Sequence, residues 1–200
     1  MAARTGGANG QIVRGRRGGA ARDDRTPPEI ASARDVLATV CFLDIVDSTR
    51  RLAELGDRRW RAVLADYRET VRSLVGTFDG REVKALGDGS LLLFDRPALS
   101  IRCSDAIRQS VSRLAIEVRT GIHAGEVELE PDDVYGIVVH ISERICALAR
   151  PSEVLVSRTV KELVAGIQAI QFVDRGLHEL KGVPGRWRLF AVRLLEPSGA

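Results

Sequence analysis

A chain of 200 residues with 44% hydrophobic and 28% charged side chains holds material for one good core but not for two. The net charge of +3 is carried by residues 1–34, where seven arginines face three acidic residues, which leaves the remainder near −1. That distribution argues against a nucleic-acid-binding face on the folded part, and no specific nucleic acid is expected as a partner.

Residues 1–34 are rich in Gly, Ala and Arg and too poor in apolar side chains to offset chain entropy. They are expected to form a disordered basic tail, and residues 35–195 a single domain. The three cysteines, Cys41, Cys103 and Cys146, are widely spaced with no C-x-x-C, which reads as free thiols in a reducing compartment. The best apolar run, Val36 to Leu43, stops at Asp44, so no membrane span is expected. No apolar stretch follows the N-terminal arginines as a secretory leader would require, and the expected location is the cytoplasm.

Order is expected from Val36. Residues 36–44 form a continuous apolar run suited to a buried strand. A long helix follows, capped by Asp47, Ser48 or Thr49, with Leu52, Leu55, Trp60, Val63, Leu64, Tyr67, Val71, Leu74 and Val75 at helical spacing. Gly56-Asp57 is the expected kink. Residues 81–86 and 90–94 flank Gly87-Asp88-Gly89 as a hairpin, and Pro97 opens a second helix. Ile116–Ala124 and Val127–Leu129 read as two strands parted by Gly125. Beyond the Pro131-Asp132-Asp133 loop come a helix over 137–149, a strand over 154–156 and a helix over 158–165. Two strands, 170–174 and 187–193, then flank a turn at Lys181–Gly185. The order β-α-β-β-α-β predicts an α+β fold. Its core is a ferredoxin-like split βαβ palm, an antiparallel sheet with helices on one face, followed by additional C-terminal α/β elements.

Two aspartates stand out against this frame. Asp44 ends an apolar strand just before a helix N-terminus. The backbone N–H groups of Ile45, Val46, Asp47, Ser48 and Thr49 would there face an anion. Asp88 sits at the tip of the hairpin predicted to lie beside that strand. Plain turn chemistry explains Asp88 taken alone. The two carboxylates together suit two divalent cations, Mg2+ or Mn2+, shared with phosphate oxygens. Downstream, His140 and Arg144 fall on one helix face. Arg144 suits charge stabilisation at a transferring phosphoryl group, or else a surface ion pair with Glu143 or Glu153.

With Phe42–Thr49, Lys84–Ser90 and Asp133–Arg144 in this order, residues 36–193 resemble the catalytic domain of the class III nucleotidyl cyclases, most closely the bacterial adenylate cyclases. The resemblance implies a palm fold that converts ATP to 3′,5′-cyclic AMP and pyrophosphate. Asp44 and Asp88, with the Ile45 carbonyl, would hold the two cations. Lys84 and Asp133 would select adenine. The Ile45–Thr49 backbone would hold the β- and γ-phosphates, and Arg144 would act on the transition state. It also implies a homodimer in which one subunit brings the aspartates and the other the base-reading and transition-state residues. Regulation by a separate sensor domain, fused or free, fits the same resemblance.

Two positions depart from the family pattern. His140 stands where an asparagine is usual, which keeps open an alternative: a catalytically weak, nucleotide-binding or regulatory module. The phosphate-binding lysine of the C-terminal Lys-Gly turn has no certain equivalent, with Lys181 and Arg186 as the candidates. A diguanylate-cyclase-like palm is disfavoured, because the longer Gly-Gly-Asp/Glu-Glu-Phe signature is missing. His123 and His178 read as structural or surface residues.

Overall fold

The computed structural model describes residues 34–195. The expected disordered tail lies outside the described residues, except for Arg34, which proves to be the first residue of a strand. The strands are β1 (Arg34–Ile45), β2 (Gly80–Leu86), β3 (Gly89–Phe94), β4 (Val118–Leu129), β5 (Val134–Tyr135), β6 (Val154–Ser157), β7 (Ile170–Glu179) and β8 (Arg186–Leu194). The helices are α1 (Ser48–Thr77), α2 (Pro97–Val111), α3 (Ile137–Leu148) and α4 (Arg158–Leu163).

The sheet runs β2-β3-β1-β4-β6-β8-β7, with β5 paired to the end of β4. The β2-β3-β1-β4 part is antiparallel throughout and has the strand order of a split βαβ palm, as the element order predicts. β6, joined to β4 in parallel, begins the C-terminal extension.

β1 is apolar on both faces because both are covered. Cys41, Leu43 and Ile45 join Trp60, Tyr67, Val71, Ile101 and Ile107 in a cluster under α1 and α2. Ala38 and Val40 join Leu91, Leu93, Val127 and Val138 on the other side. The two palm helices thus share one face as expected, and α3 adds a layer on the opposite face. The long helix bends at Gly56 (φ 74°, ψ 159°), the expected site.

One expectation fails in an instructive way. The two strands expected around Gly125 are a single strand, in which Gly125 pairs with Ala38 without a break. The glycines serve packing instead. A Cβ on Gly121 would lie 2.1 Å from the Cys146 nitrogen and 2.5 Å from the Ser142 carbonyl oxygen, and one on Gly125 would meet a Val138 methyl at 2.8 Å. They form the groove in which α3 lies close against β4.

Among the described residues all three cysteines are free and buried, as expected, and burial pushes the Cys41 thiol up to about 11. No described helix is long and apolar enough to cross a membrane.

Candidate active site

Asp44 is the penultimate residue of β1. The β1–β3 ladder ends there, with Asp44 opposite Gly89, while on the other side Asp44 stands opposite Arg119 of β4. Gly89 keeps this corner open: a Cβ there would lie 2.9 Å from the Leu43 carbonyl oxygen and 3.7 Å from Asp44 Oδ1. Leu86 and Gly89 close a two-residue turn of Gly87 and Asp88, with Gly87 at φ 69° in the first position, as a type II′ hairpin requires. Asp44, Asp88, Asp47, Ser48, Thr49 and Arg119 therefore line one open cleft of about 670 Å³. The two expected aspartates line the same cleft.

Arg119 was not anticipated. Its Nε and Nη2 donate to Asp44 Oδ2 at 2.9 and 2.6 Å, between side chains about one-third exposed (34% and 30%). A guanidinium thus stands where Asp44 would meet a cation. The sequence signal for it is slight, a charged residue in an apolar strand. Only the β1–β4 register brings it to Asp44.

The start of α1 differs from expectation in two respects. Asp47 occupies the N-cap position in a left-handed conformation (φ 53°) with no side-chain cap. Its carboxylate accepts from Arg50 Nη2 at 3.3 Å instead. Secondly, the Val46 N–H donates to the Glu117 carbonyl at 2.9 Å, because the pairing with the chain before β4 runs on past β1. Val46 therefore drops out of the expected amide cradle. Arg51 is the first N–H to bond back, to the Asp47 carbonyl at 3.0 Å. The amides of Ser48, Thr49 and Arg50 precede the first intrahelical bond and remain at the positive end of the helix dipole.

Among the described residues no three or more His, Cys, Asp or Glu side chains cluster as a metal site. Two carboxylates and a strand-end carbonyl are nonetheless hard oxygen donors, the type that Mg2+ and Mn2+ take while water or substrate phosphate completes the shell. The donor set fits those ions.

A second group forms away from this cleft. Lys84 on β2 and Asp133, 49 positions later, form an ion pair. Asp133 Oδ1 also accepts the Val134 N–H at 2.9 Å, and Arg81 donates to the Pro131 carbonyl at 3.4 Å, which ties the loop to β2. The Lys84 ammonium, and then the Val134 N–H, hold the Asp133 carboxyl below the usual range, and Asp133 raises Lys84 in turn.

On α3, His140 is exposed, and Arg144 lies 3.5 Å from Glu143 with its Nε buried and unpartnered. Of the two surface partners considered for Arg144, Glu143 is the one present. Glu153 instead pairs with Arg175 at 3.3 Å and accepts the Arg150 N–H at 2.8 Å. None of Lys84, Asp133, His140 and Arg144 lines the Asp44–Asp88 cleft. Lys181 and Arg186 line a separate hollow at the β7–β8 turn.

His123 is structural, as expected. It is buried, its Nδ1 is 2.8 Å from Ser157 Oγ, it lies edge-on to Trp187, and burial lowers its pKa to about 4.

A split βαβ palm with paired carboxylates at the β1 and β2–β3 ends beside a helix N-terminus is an arrangement suited to phosphoryl transfer. Residues 31–193 match the family model described as the adenylate and guanylate cyclase catalytic domain, and the chain belongs to that family. It is 32% identical over 160 residues to the Rhizobium meliloti protein named "Putative adenylate cyclase 3", covering 76% of this chain and 27% of that one. It is 28% identical over 150 residues to the uncharacterized protein Rv0891c of Mycobacterium tuberculosis, covering 73% and 52%. The chain thus spans about a quarter to a half of these relatives' length. In structure it is similar to the adenylyl cyclase CyaB from P. aeruginosa (TM-score 0.77, 19% identity, 84% and 100% covered). It is also similar to the adenylate/guanylate cyclase/hydrolase from Silicibacter pomeroyi (TM-score 0.72, 26% identity, 80% and 98% covered). The guanylate cyclase domain of RhGC from Catenaria anguillulae, in complex with GTP, is similar as well (TM-score 0.73, 18% identity, 82% and 100% covered). Neighbours of both base specificities share the fold, so the fold does not choose the base.

Proposed function

We propose that this chain is a cytoplasmic adenylate cyclase that converts ATP to 3′,5′-cyclic AMP and pyrophosphate at sites shared across a homodimer. The observation that carries the choice of base is the Lys84–Asp133 pair. A donor beside an acceptor complements adenine, whose N1 accepts and whose N6 amino group donates. Guanine presents those two positions in the opposite sense, N1–H donating and O6 accepting. Burying mismatched groups there costs discrimination of the kind that hydrogen-bonding sites impose.

Asp44, Asp88 and the Ile45 carbonyl would hold two divalent cations, which supply charge neutralisation beside the phosphates. The Ser48 and Thr49 amides, with the α1 dipole, hold the β- and γ-phosphates. Arg119, which donates to Asp44 here, would be free to donate to a phosphate oxygen once Asp44 served as a cation ligand. The ribose 3′-hydroxyl gives its proton to solvent and its oxygen attacks the α-phosphorus in line, while the bond from that phosphorus to the α,β-bridging oxygen breaks and pyrophosphate leaves. Arg144 stabilises charge on the α-phosphoryl group, and His140 donates to the ribose.

Lys84, Asp133 and Arg144 lie off the cleft of their own chain. This supports a two-fold pairing in which each chain presents them to the other's aspartates. Domain limits of 35–195 and sensor control complete the proposal.

The weak-module alternative is favoured by one further observation besides His140: Arg119 already occupies Asp44. One assay separates the readings. Purified full-length chain is given ATP or GTP with Mn2+ or Mg2+, and cyclic nucleotide is measured. Cyclic AMP formation that disappears in Asp44→Ala supports the cyclase; nucleotide binding without turnover supports the module.

A further inference from the structure

Asp88 is held by a turn with little around it. The outer side of Gly87 is open, with nothing within 4 Å of the position a Cβ would take, and neighbouring Leu86 is 46% exposed. β2 is an edge strand, and its pairing to β3 carries a register shift between Glu82 and Lys84. Among the described residues one side chain bonds to this turn: Arg68 of α1 donates from Nη2 to the Gly87 carbonyl at 2.8 Å, while its Nε is buried without a partner. The adjacent Tyr67 is 1% exposed and belongs to the core cluster that includes Leu92 and Phe94 of β3.

The Gly87 carbonyl belongs to the same rigid peptide plane as the Asp88 N–H. Fixing that oxygen fixes the rotation of the plane and so the direction in which Asp88 leaves the turn. Gly87 could otherwise rotate freely, having no Cβ to restrict it. The bond is charge-assisted, the stronger kind. α1 also carries the Ser48 and Thr49 amides at its N-terminus, on the far side of the bend at Gly56 from Arg68.

We infer that Arg68 is a positioning residue for Asp88, locking the Gly87–Asp88 peptide so that the carboxylate is preset to take a divalent cation. The inference rests on reading Asp88 as a cation ligand, and its test separates the two. Mn2+ is titrated into the full-length chain with 3′-deoxy-ATP, which lacks the attacking hydroxyl, and free Mn2+ is followed by its electron paramagnetic resonance signal. Arg68→Met is expected to weaken binding about tenfold, the low end for loss of an outer-shell partner. Arg68→Gln, which keeps a donor, is expected to fall between. Deuterium uptake over residues 86–90 in cation-free protein is expected to rise in Arg68→Met while uptake in β1 and β4 stays unchanged, a pattern that general destabilisation does not produce. If Asp88→Ala loses a Mn2+ site but Arg68→Met binds as wild type with unchanged uptake, the positioning role is overturned. If Asp88→Ala itself binds as wild type, the cation reading of Asp88 falls, and this inference with it.

Discussion

Replacing Arg119 with Met should move two quantities in opposite directions. The side chain donates twice to Asp44 Oδ2, with both partners about one-third exposed (34% and 30%). At that exposure solvent screens the pair, and its net contribution to folding is about 1 kcal/mol or less. The variant should therefore fold, with a melting temperature only a few degrees lower. In the nucleotide-free protein Arg119 competes with any cation for Asp44. Removing about 1 kcal/mol of competition should tighten Mn2+ binding roughly fivefold. On the proposed mechanism the same guanidinium donates to the phosphates during turnover, where a charge-assisted bond is worth about 1.5–3 kcal/mol, so kcat/KM for ATP should fall about 10- to 160-fold. Calorimetric Mn2+ titration and steady-state kinetics read the two effects. Weaker Mn2+ binding, or unchanged kcat/KM, would refute the exchange of partners at Asp44.

Further outcomes follow from packing, titration and base contacts. Gly121→Ala places a methyl 2.1 Å from backbone nitrogen and 2.5 Å from backbone oxygen of α3, neither a movable side-chain end; urea denaturation should show a loss of about 3 kcal/mol. Gly125→Ala meets only a Val138 methyl at 2.8 Å and should cost less. Buried His123, with its pKa lowered to about 4, binds its proton more readily when unfolded. The stability this contributes is complete above the unfolded pKa of about 6.5 and is lost as pH falls toward 4, so wild type should lose about 2 kcal/mol more than His123→Gln between pH 7 and 5. Lys84→Glu with Asp133→Cys should lower kcat/KM for ATP at least tenfold without a matching loss of fold; unchanged ATP kinetics would remove the pair from base recognition.

Much of the fold was legible because the chain obeys local rules. The stripe from Leu52 to Val75 marks α1, Gly56 its kink, Pro97 the start of α2, and Gly87-Asp88-Gly89 the hairpin. The misreading at Gly125 has a tertiary cause: a glycine that admits a helix looks, in sequence, like a glycine that ends a strand. α3 on the second face was not anticipated for a related reason, since its cover is spread over β1, β3 and β4. Of the site, Asp44 and Asp88 were readable as carboxylates at element ends. Arg119 was not, because its contact depends on the β1–β4 register across 75 positions. The loss of the Val46 amide to Glu117 depends likewise on how far the pairing runs past β1. Arg68 escaped notice as one more polar residue on a long amphipathic helix.

The central claim, an adenylate cyclase whose site is completed by a second copy, is tested most directly by complementation. Asp44→Ala and Arg144→Ala proteins are purified, each assayed alone with ATP and Mn2+, then mixed, and cyclic AMP is measured alongside a direct measure of heterodimer formation. Each variant alone should be inactive. The mixture should recover activity, because a heterodimer holds one intact pair of aspartates facing one intact Arg144. A mixture that forms heterodimers and makes no cyclic AMP would contradict the shared site, and an Arg144→Ala protein as active as wild type would contradict the role given to that arginine.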